Sequence, residues 1–433
     1  MNTNETQVLN DPKTINGWAF FDWANSAFAL TIAVAIFPNY YEAITEGQVY
    51  RIFGIDLTNT ALYSFALSAA YLVVSVLSPY LSGIADYGGK KMQFMKFFTF
   101  MGSISCLLLF FFQTASDVGI GITFFVLGTI GFAGSLVFYN SYLPDIATED
   151  QYDRVSAKGF AYGYIGSVIL LVINLLIITF PEKLGFKPDS TIPARLAFVS
   201  VGLWWMGFAM IPFNRLPKDT KGKLPEGAMS KSIEKLKGIA RQVLEQKNIK
   251  RFLIAFFCYS AGVQTLILLA SLFGTTELGF ETSDLIVLIL LLQLLAIGGA
   301  YLFAFVSERF GNKLSLLIML AIWVTICVVA YFVSETWQFY AIAAGVGLVM
   351  GGIQSLSRST YSKLLPQDTT DTTSYFSFYD ILEKYAVVLG TLLFGIVDQM
   401  FGMRNSVLFL AVFFLAGMLV LTTVKIQSAK MSE

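Results

Sequence analysis

The sequence predicts an all-α integral membrane protein of twelve transmembrane helices in two six-helix halves, and three observations carry that prediction. Of 433 residues, 56% are hydrophobic and only 13% are charged, where soluble chains carry about a quarter charged residues. The apolar residues gather in runs of about 20, the length that crosses a bilayer as a helix. One polar turn is also written twice. Asp86, Gly89 and Lys91 are answered by Glu308, Gly311 and Lys313, each 222 positions further on and each set between two apolar runs. Leu143-Pro144 and Leu365-Pro366 keep the same displacement, as expected of a chain made of two related halves.

The runs lie near 18–41, 61–84, 93–112, 118–139, 160–180, 194–213, 251–273, 284–306, 314–333, 337–357, 375–398 and 406–424. They divide the chain into an N-terminal half at 1–213, a basic linker at 214–250 and a C-terminal half at 251–433. The first residues include Glu5 and Asp11 and lack the basic start of a secretory signal, so the first run is expected to stay as a membrane helix. Alternate loops carry Lys90 and Lys91, Arg154 and Lys158, Arg309 and Lys313, and Lys363; the linker adds Arg215, Lys218, Lys221, Lys223, Lys231, Lys235, Lys237 and Arg241. Positive charge is retained on the cytoplasmic side. The linker and both termini are therefore expected there, with the protein in the plasma (inner) membrane if the source is bacterial. Within the linker, Ile233, Leu236, Ala240, Val243 and Leu244 recur at helical spacing. That helix either lies on an anionic membrane face or acts as a tether whose lysines snorkel.

Composition also excludes. Histidine is absent, which removes the commonest general base and metal ligand, so any proton-linked step falls to carboxylates. Cys106, Cys258 and Cys327 lie singly in apolar runs, which indicates small buried residues rather than a metal site or disulfides. No cofactor is expected. The zero net charge and the scatter of basic residues over short segments argue against a nucleic-acid surface.

An ionisable side chain at the bilayer centre costs roughly 2.5 to 3.5 kcal/mol, so each one inside an apolar run is a site candidate. Asp22, Asn25 and Ser26 share one face of the first helix. They suit an aqueous cavity or a proton-coupled gate, or Asp22 pairs with a basic neighbour near the membrane boundary. Asn140 closes the fourth helix ahead of Leu143-Pro144 and either meets a solute or caps the helix. Gln354 and Arg358 lie four apart on the tenth helix, after Gly351-Gly352. Arg358 offers a bidentate anchor for a carboxylate, or simply a positive helix end. Asp380 and Lys384 are spaced to pair along the eleventh helix, and with Glu383 between them they should face the bundle interior or its mouth. By the inferred topology these residues lie toward cytoplasmic helix ends, where a gate would be. Candidates at mid-membrane depth are Tyr164, Asn174, Gln264 and Gln293, which line a path or bond to neighbouring helices. The repeated turn reads as a cytoplasmic latch of Asp86, Gly89, Lys90, Lys91, Glu308, Gly311 and Lys313, or as two plain turns.

The loop Asp86-x-x-Gly89-Lys90-Lys91 resembles that between helices two and three of the major facilitator superfamily, with Ser82 where a glycine is usual. More closely, four stretches are similar to the vacuole effluxer family: Phe21-Asp22-Trp23-Ala24-Asn25-Ser26-Ala27-Phe28; Tyr139-Asn140 with Leu143-Pro144-Asp145; Gly351-Gly352-x-Gln354-x-x-Ser357-Arg358-Ser359; and Phe378-Tyr379-Asp380 with Lys384 and Leu389-Gly390. Glu383 stands where that family more usually has a small residue. The resemblance implies a major facilitator fold and a secondary active permease rather than an enzyme. It implies a monomer in the lipid bilayer that exports a small polar solute, such as an amino acid, by alternating access, with proton coupling through Asp22 or Asp380. The alternatives are a lipid-modifying membrane enzyme, against which the lack of histidine counts, and a non-transporting receptor or scaffold built on the same bundle.

Overall fold

A computed structural model describes residues 8–52, 54–187, 190–219, 228–366 and 369–426; Glu5, Lys221 and Lys223 lie outside them. Twelve long helices follow one another: α1 Pro12–Thr45, α2 Asn59–Gly88, α3 Lys91–Leu108, α4 Val118–Asn140, α5 Tyr152–Thr179, α6 Ile192–Arg215, α7 Lys247–Leu278, α8 Thr282–Phe310, α9 Asn312–Tyr331, α10 Thr336–Leu364, α11 Thr372–Phe401 and α12 Met403–Thr422. Every expected run lies on one of them. Eleven are long and apolar enough to cross a membrane among the described residues; α11 falls outside that set. It carries Asp380, Glu383, Lys384 and Asp398.

The helix ends follow local chemistry. Thr58 Oγ1 accepts the Ala61 amide at the start of α2, and Glu335 with Gln338 forms a capping box at the start of α10. α1 is not uniform: between Ala27 and Phe37 its ladder widens to a π-helix over Phe28–Ile36, where the Phe37 amide reaches back to the Ile32 carbonyl. Between α1 and α2 the chain forms an antiparallel hairpin, β1 Val49–Ile52 and β2 Ile55–Thr58, with Val49 opposite Thr58. This connection lies between the first two apolar runs, and alternating side chains with Gly54 at φ +81° permit the hairpin.

The helices gather into two compact units. The first holds Pro12–Tyr139 with Tyr162–Met229, and in it α1 and α3 both pack on α6. The second holds Met1–Asp11, Asn140–Ala161 and Ser230–Glu433, and in it α7 and α9 both pack on α12. The pairings α1–α6 and α3–α6 thus return as α7–α12 and α9–α12, six helices on. The second unit takes in the segment from Asn140 to Ala161, at the end of α4 and the start of α5. Asn10 is fastened to this segment: its side chain donates to Thr148 Oγ1 and accepts the Thr148 amide.

Helix α10 approaches α8 backbone to backbone. A Cβ on Gly351 would stand 2.0 Å from the Ala296 carbonyl oxygen, and one on Gly299 would stand 1.8 Å from that of Leu348. Gly351 therefore permits a close helix approach, and α8 is its partner. The linker helix, Ala228–Glu245, packs on the second unit. Ile239 and Val243 are buried, whereas Leu244 is 63% exposed. Lys235 pairs with Asp371, and Tyr375 Oη donates to Gln242 Oε1 at 2.8 Å. This corrects the membrane-face reading of the linker stripe: its most buried residues meet protein.

Candidate substrate path and gate

In the first unit, Asp22 and Asn25 are buried together on α1. Tyr139 Oη donates to Asp22 Oδ2 at 2.7 Å. The Tyr139 ring stacks on Trp18 and Phe21, with centroids 4.6 and 4.8 Å apart, and Trp18 Nε1 donates to the Tyr139 carbonyl. The Asp22 carboxylate is thus held by a phenol that two aromatic rings fix in place. Asn25 accepts from Ser135 Oγ at 3.4 Å, while its amide nitrogen is buried without a partner. Ser26 meets α5 where Gly163 leaves room: a Cβ there would lie 2.5 Å from Ser26 Oγ. The π-helical stretch begins two residues later, and such widened turns recur at functional sites.

In the second unit, Arg358 on α10 is 2% exposed, and each guanidinium nitrogen is engaged. Nε donates to Ser156 Oγ at 2.9 Å, one terminal nitrogen to Asn140 Oδ1 at 3.0 Å and the other to the Ser156 carbonyl at 2.8 Å. Its face covers the Phe160 ring at 4.3 Å. Ser156 Oγ in turn donates to the Ser355 carbonyl. Two residues picked out separately in the sequence, Asn140 and Arg358, are therefore bonded to each other, and Gln354 lies half-buried one turn before Arg358. Beside this knot, buried Asp153 accepts from Ser307 Oγ, Asn312 Nδ2 and Lys363 Nζ, each at 2.7 Å. Lys363 also donates to Asn312 Oδ1. Asp153 and Ser156 escaped the sequence reading, and Lys363 entered it only as a loop charge. A spacing of about two hundred residues leaves no periodicity from which such a pairing could be read.

On α11, Lys384 Nζ lies 2.5 Å from Asp380 Oδ1, and both residues are buried, so these charges face the bundle interior as expected. Asp380 Oδ2 is buried without a partner. Gln264 on α7 donates to Glu383 Oε1 at 3.1 Å, which joins one mid-membrane candidate to the charged helix. The others are separate from it: Tyr164 is buried, Asn174 accepts from Ser200 Oγ at 2.9 Å, and Gln293 Oε1 is buried without a partner. The Asn174 amide nitrogen is buried without a partner among the described residues. The second unit also encloses an apolar cavity of about 50 Å³, walled by Leu266, Phe273, Leu292, Phe339, Phe394 and Val407 among others.

The two polar turns share a glycine at positive φ, Gly89 at +59° and Gly311 at +82°. Asp86 and Lys91 are half-buried and Lys90 is buried. Asp219 accepts the Met92 and Gln93 amides at 2.7 and 2.9 Å and so caps α3. In the second copy, Lys313 Nζ donates to the carbonyls of Thr422 and Val424, the latter at 2.9 Å, while Glu308 is exposed. Lys313 thus finishes α12 instead of meeting an acid, and Asn312 carries this turn into the Asp153 cluster.

The model of the family described as vacuole effluxer Atg22 like matches residues 10–433. The chain belongs to that family. It is 30% identical, over 414 residues and 95% of each chain, to the uncharacterized MFS-type transporter YxiO of Bacillus subtilis (strain 168). It is 24% identical to autophagy-related protein 22-1 of Aspergillus niger, over 89% of this chain and 76% of that one. Among solved structures, the fold is similar to the human organic anion transporter MFSD10, with a TM-score of 0.72 at 12% identity over 95% of this chain and 100% of that one. It is also similar to the transporter FucP in its outward conformation, with a TM-score of 0.66 at 15% identity over 96% and 99%. The Atg22-like chain is therefore a multi-pass membrane protein of the major facilitator fold and an MFS-type transporter.

Proposed function

We propose that this transporter is a secondary active exporter of small polar solutes that carry an amino group, amino acids among them, working by alternating access with proton coupling. In this reading the halves at 1–213 and 251–433 move as bodies joined by the linker at 214–250. The basic loops and both termini face the cytoplasm. Asp22, Asn25, Ser26, Gln354, Asp380 and Lys384 line or gate the path, and a carboxylate, Asp22 or Asp380, carries the proton. The observation that supports it best is the bonding of Arg358 to Asn140 and Ser156, with Asp153 and Lys363 beside it. These are polar groups buried at helix ends, where they can be made and broken as a latch, whereas an inert bundle would gain as much from apolar packing. The turns at Asp86–Lys91 and Glu308–Lys313 belong to the same side.

The test is flux of labelled amino acids in proteoliposomes with and without an imposed pH gradient. Wild-type protein should move solute faster with the gradient, and Asp22→Asn should remove that acceleration. Equal acceleration in the variant removes Asp22 from the coupling; absence of flux for every amino acid rejects the reading.

A further inference from the structure

We propose that Glu383 is the docking point for the ammonium group of the transported solute, on a site shared by α7 and α11; this rests on the export reading above. Glu383 is half-buried, and its bond is to an amide, Gln264, at 3.1 Å. It makes no ion pair among the described residues. The nearby cations are directed elsewhere: Lys384 to Asp380 and Arg358 to the neutral Asn140 and Ser156. Glu383 is therefore held by one amide donor, with lone-pair positions left for another.

The same interface holds oxygens waiting for a donor. Asp380 is 3% exposed, and its Oδ2 has no hydrogen-bond partner; it lies three residues before Glu383, on the same helical face. Thr265, next to Gln264, is fully buried with its hydroxyl unpartnered among the described residues, but it packs against Gly390, two turns beyond Glu383. A carboxylate accepts at about four lone-pair positions, and an ammonium brings three donors and one positive charge. An amine therefore supplies the missing donors. Gln264 is near the middle of α7, and Glu383 lies roughly 17 Å from the start of α11 at about 1.5 Å per residue.

The experiment uses the full-length protein in lipid nanodiscs and proteoliposomes. The probes are L-arginine, L-leucine and 4-methylpentanoate, the deaminated counterpart of leucine, tested on wild type, Glu383→Gln, Glu383→Asp and Gln264→Leu. The two amines should stabilise wild type against thermal unfolding, and 4-methylpentanoate should not. Glu383→Gln should raise the half-saturating amine concentration at least tenfold at an unchanged ligand-free melting temperature, Glu383→Asp should retain part of the affinity, and Gln264→Leu should weaken it less than Glu383→Gln does. Amine binding that depends on Glu383 without any flux would keep this site and reject the export reading. Flux with the wild-type half-saturation in Glu383→Gln would overturn the site and leave that reading standing. So would loss of the pH-gradient response alone, since Glu383 would then carry a proton, and so would wild-type protein that binds neither amine.

Discussion

The two polar turns share a sequence pattern and a glycine backbone, yet they hold different things. After the first, the opening amides of α3 are taken by Asp219. After the second, Asn312 is drawn into a buried cluster with Asp153 and Lys363, and Lys313 reaches the end of α12. Repetition has kept a glycine at positive φ and changed what the neighbouring residues hold. A positive φ that glycine supplies is a local property and persists in both copies even though ψ differs, whereas a long-range contact depends on a second segment that need not have changed in step.

The largest effect that would sharpen this contrast belongs to the second turn. Asp153→Ala removes the acceptor of three buried hydrogen bonds and strands Lys363, whose side chain is 12% exposed. Losing one partner of a buried pair costs about 3–5 kcal/mol, so the variant should lose many degrees of melting temperature in detergent or fail to purify folded. A shift no larger than that of a surface substitution would mean that the cluster is not the anchor of this turn.

Next come the glycines. Gly311 sits at φ +82° and ψ +154°, a region essentially closed to other residues, and occupying it costs about 1–3 kcal/mol. Gly89 is left-handed helical at φ +59° and ψ +44°, where a side chain costs about 1 kcal/mol and asparagine is tolerated. Gly311→Ala should therefore melt below Gly89→Ala, and Gly89→Asn should recover much of the loss, while Gly311→Asn should not. Equal shifts in both turns would erase the backbone difference between the copies. Asp219→Ala, which uncaps α3, is expected near the lower figure, since a lost helix cap costs about 1 kcal/mol.

How far the sequence already contained these features follows from their range. The helices were legible because an apolar run of bilayer length has few other fates. The Asp380–Lys384 pair was legible because a spacing of four on a helix is itself a contact. Asn140 and Arg358 were each singled out for being polar in the wrong place, but nothing in either helix says that they meet. Asp153 and Ser156 were passed over because they sit in the first turns of α5, where polar residues are ordinary. The linker helix was recognised, but its buried Ile239 lay outside the stripe drawn for it. The hairpin at Val49–Thr58 was missed because, beside runs of twenty residues, a four-residue alternation carries little weight.

The smallest effect concerns the linker. Lys235 and Asp371 pair with side chains 30% and 21% exposed, a setting in which an ion pair contributes only about 0.2–1 kcal/mol. Lys235→Ala should hardly move the melting temperature. Tyr375 Oη donates to Gln242 at 2.8 Å in the same contact, so Lys235→Ala combined with Tyr375→Phe removes both polar fastenings and leaves the packing of Ile239 and Val243. If apolar burial holds the linker helix, limited proteolysis should leave 228–245 as protected in the double variant as in wild type. If cleavage spreads into the helix, the polar contacts hold it. The linker would then resemble the second turn, fixed by specific pairs.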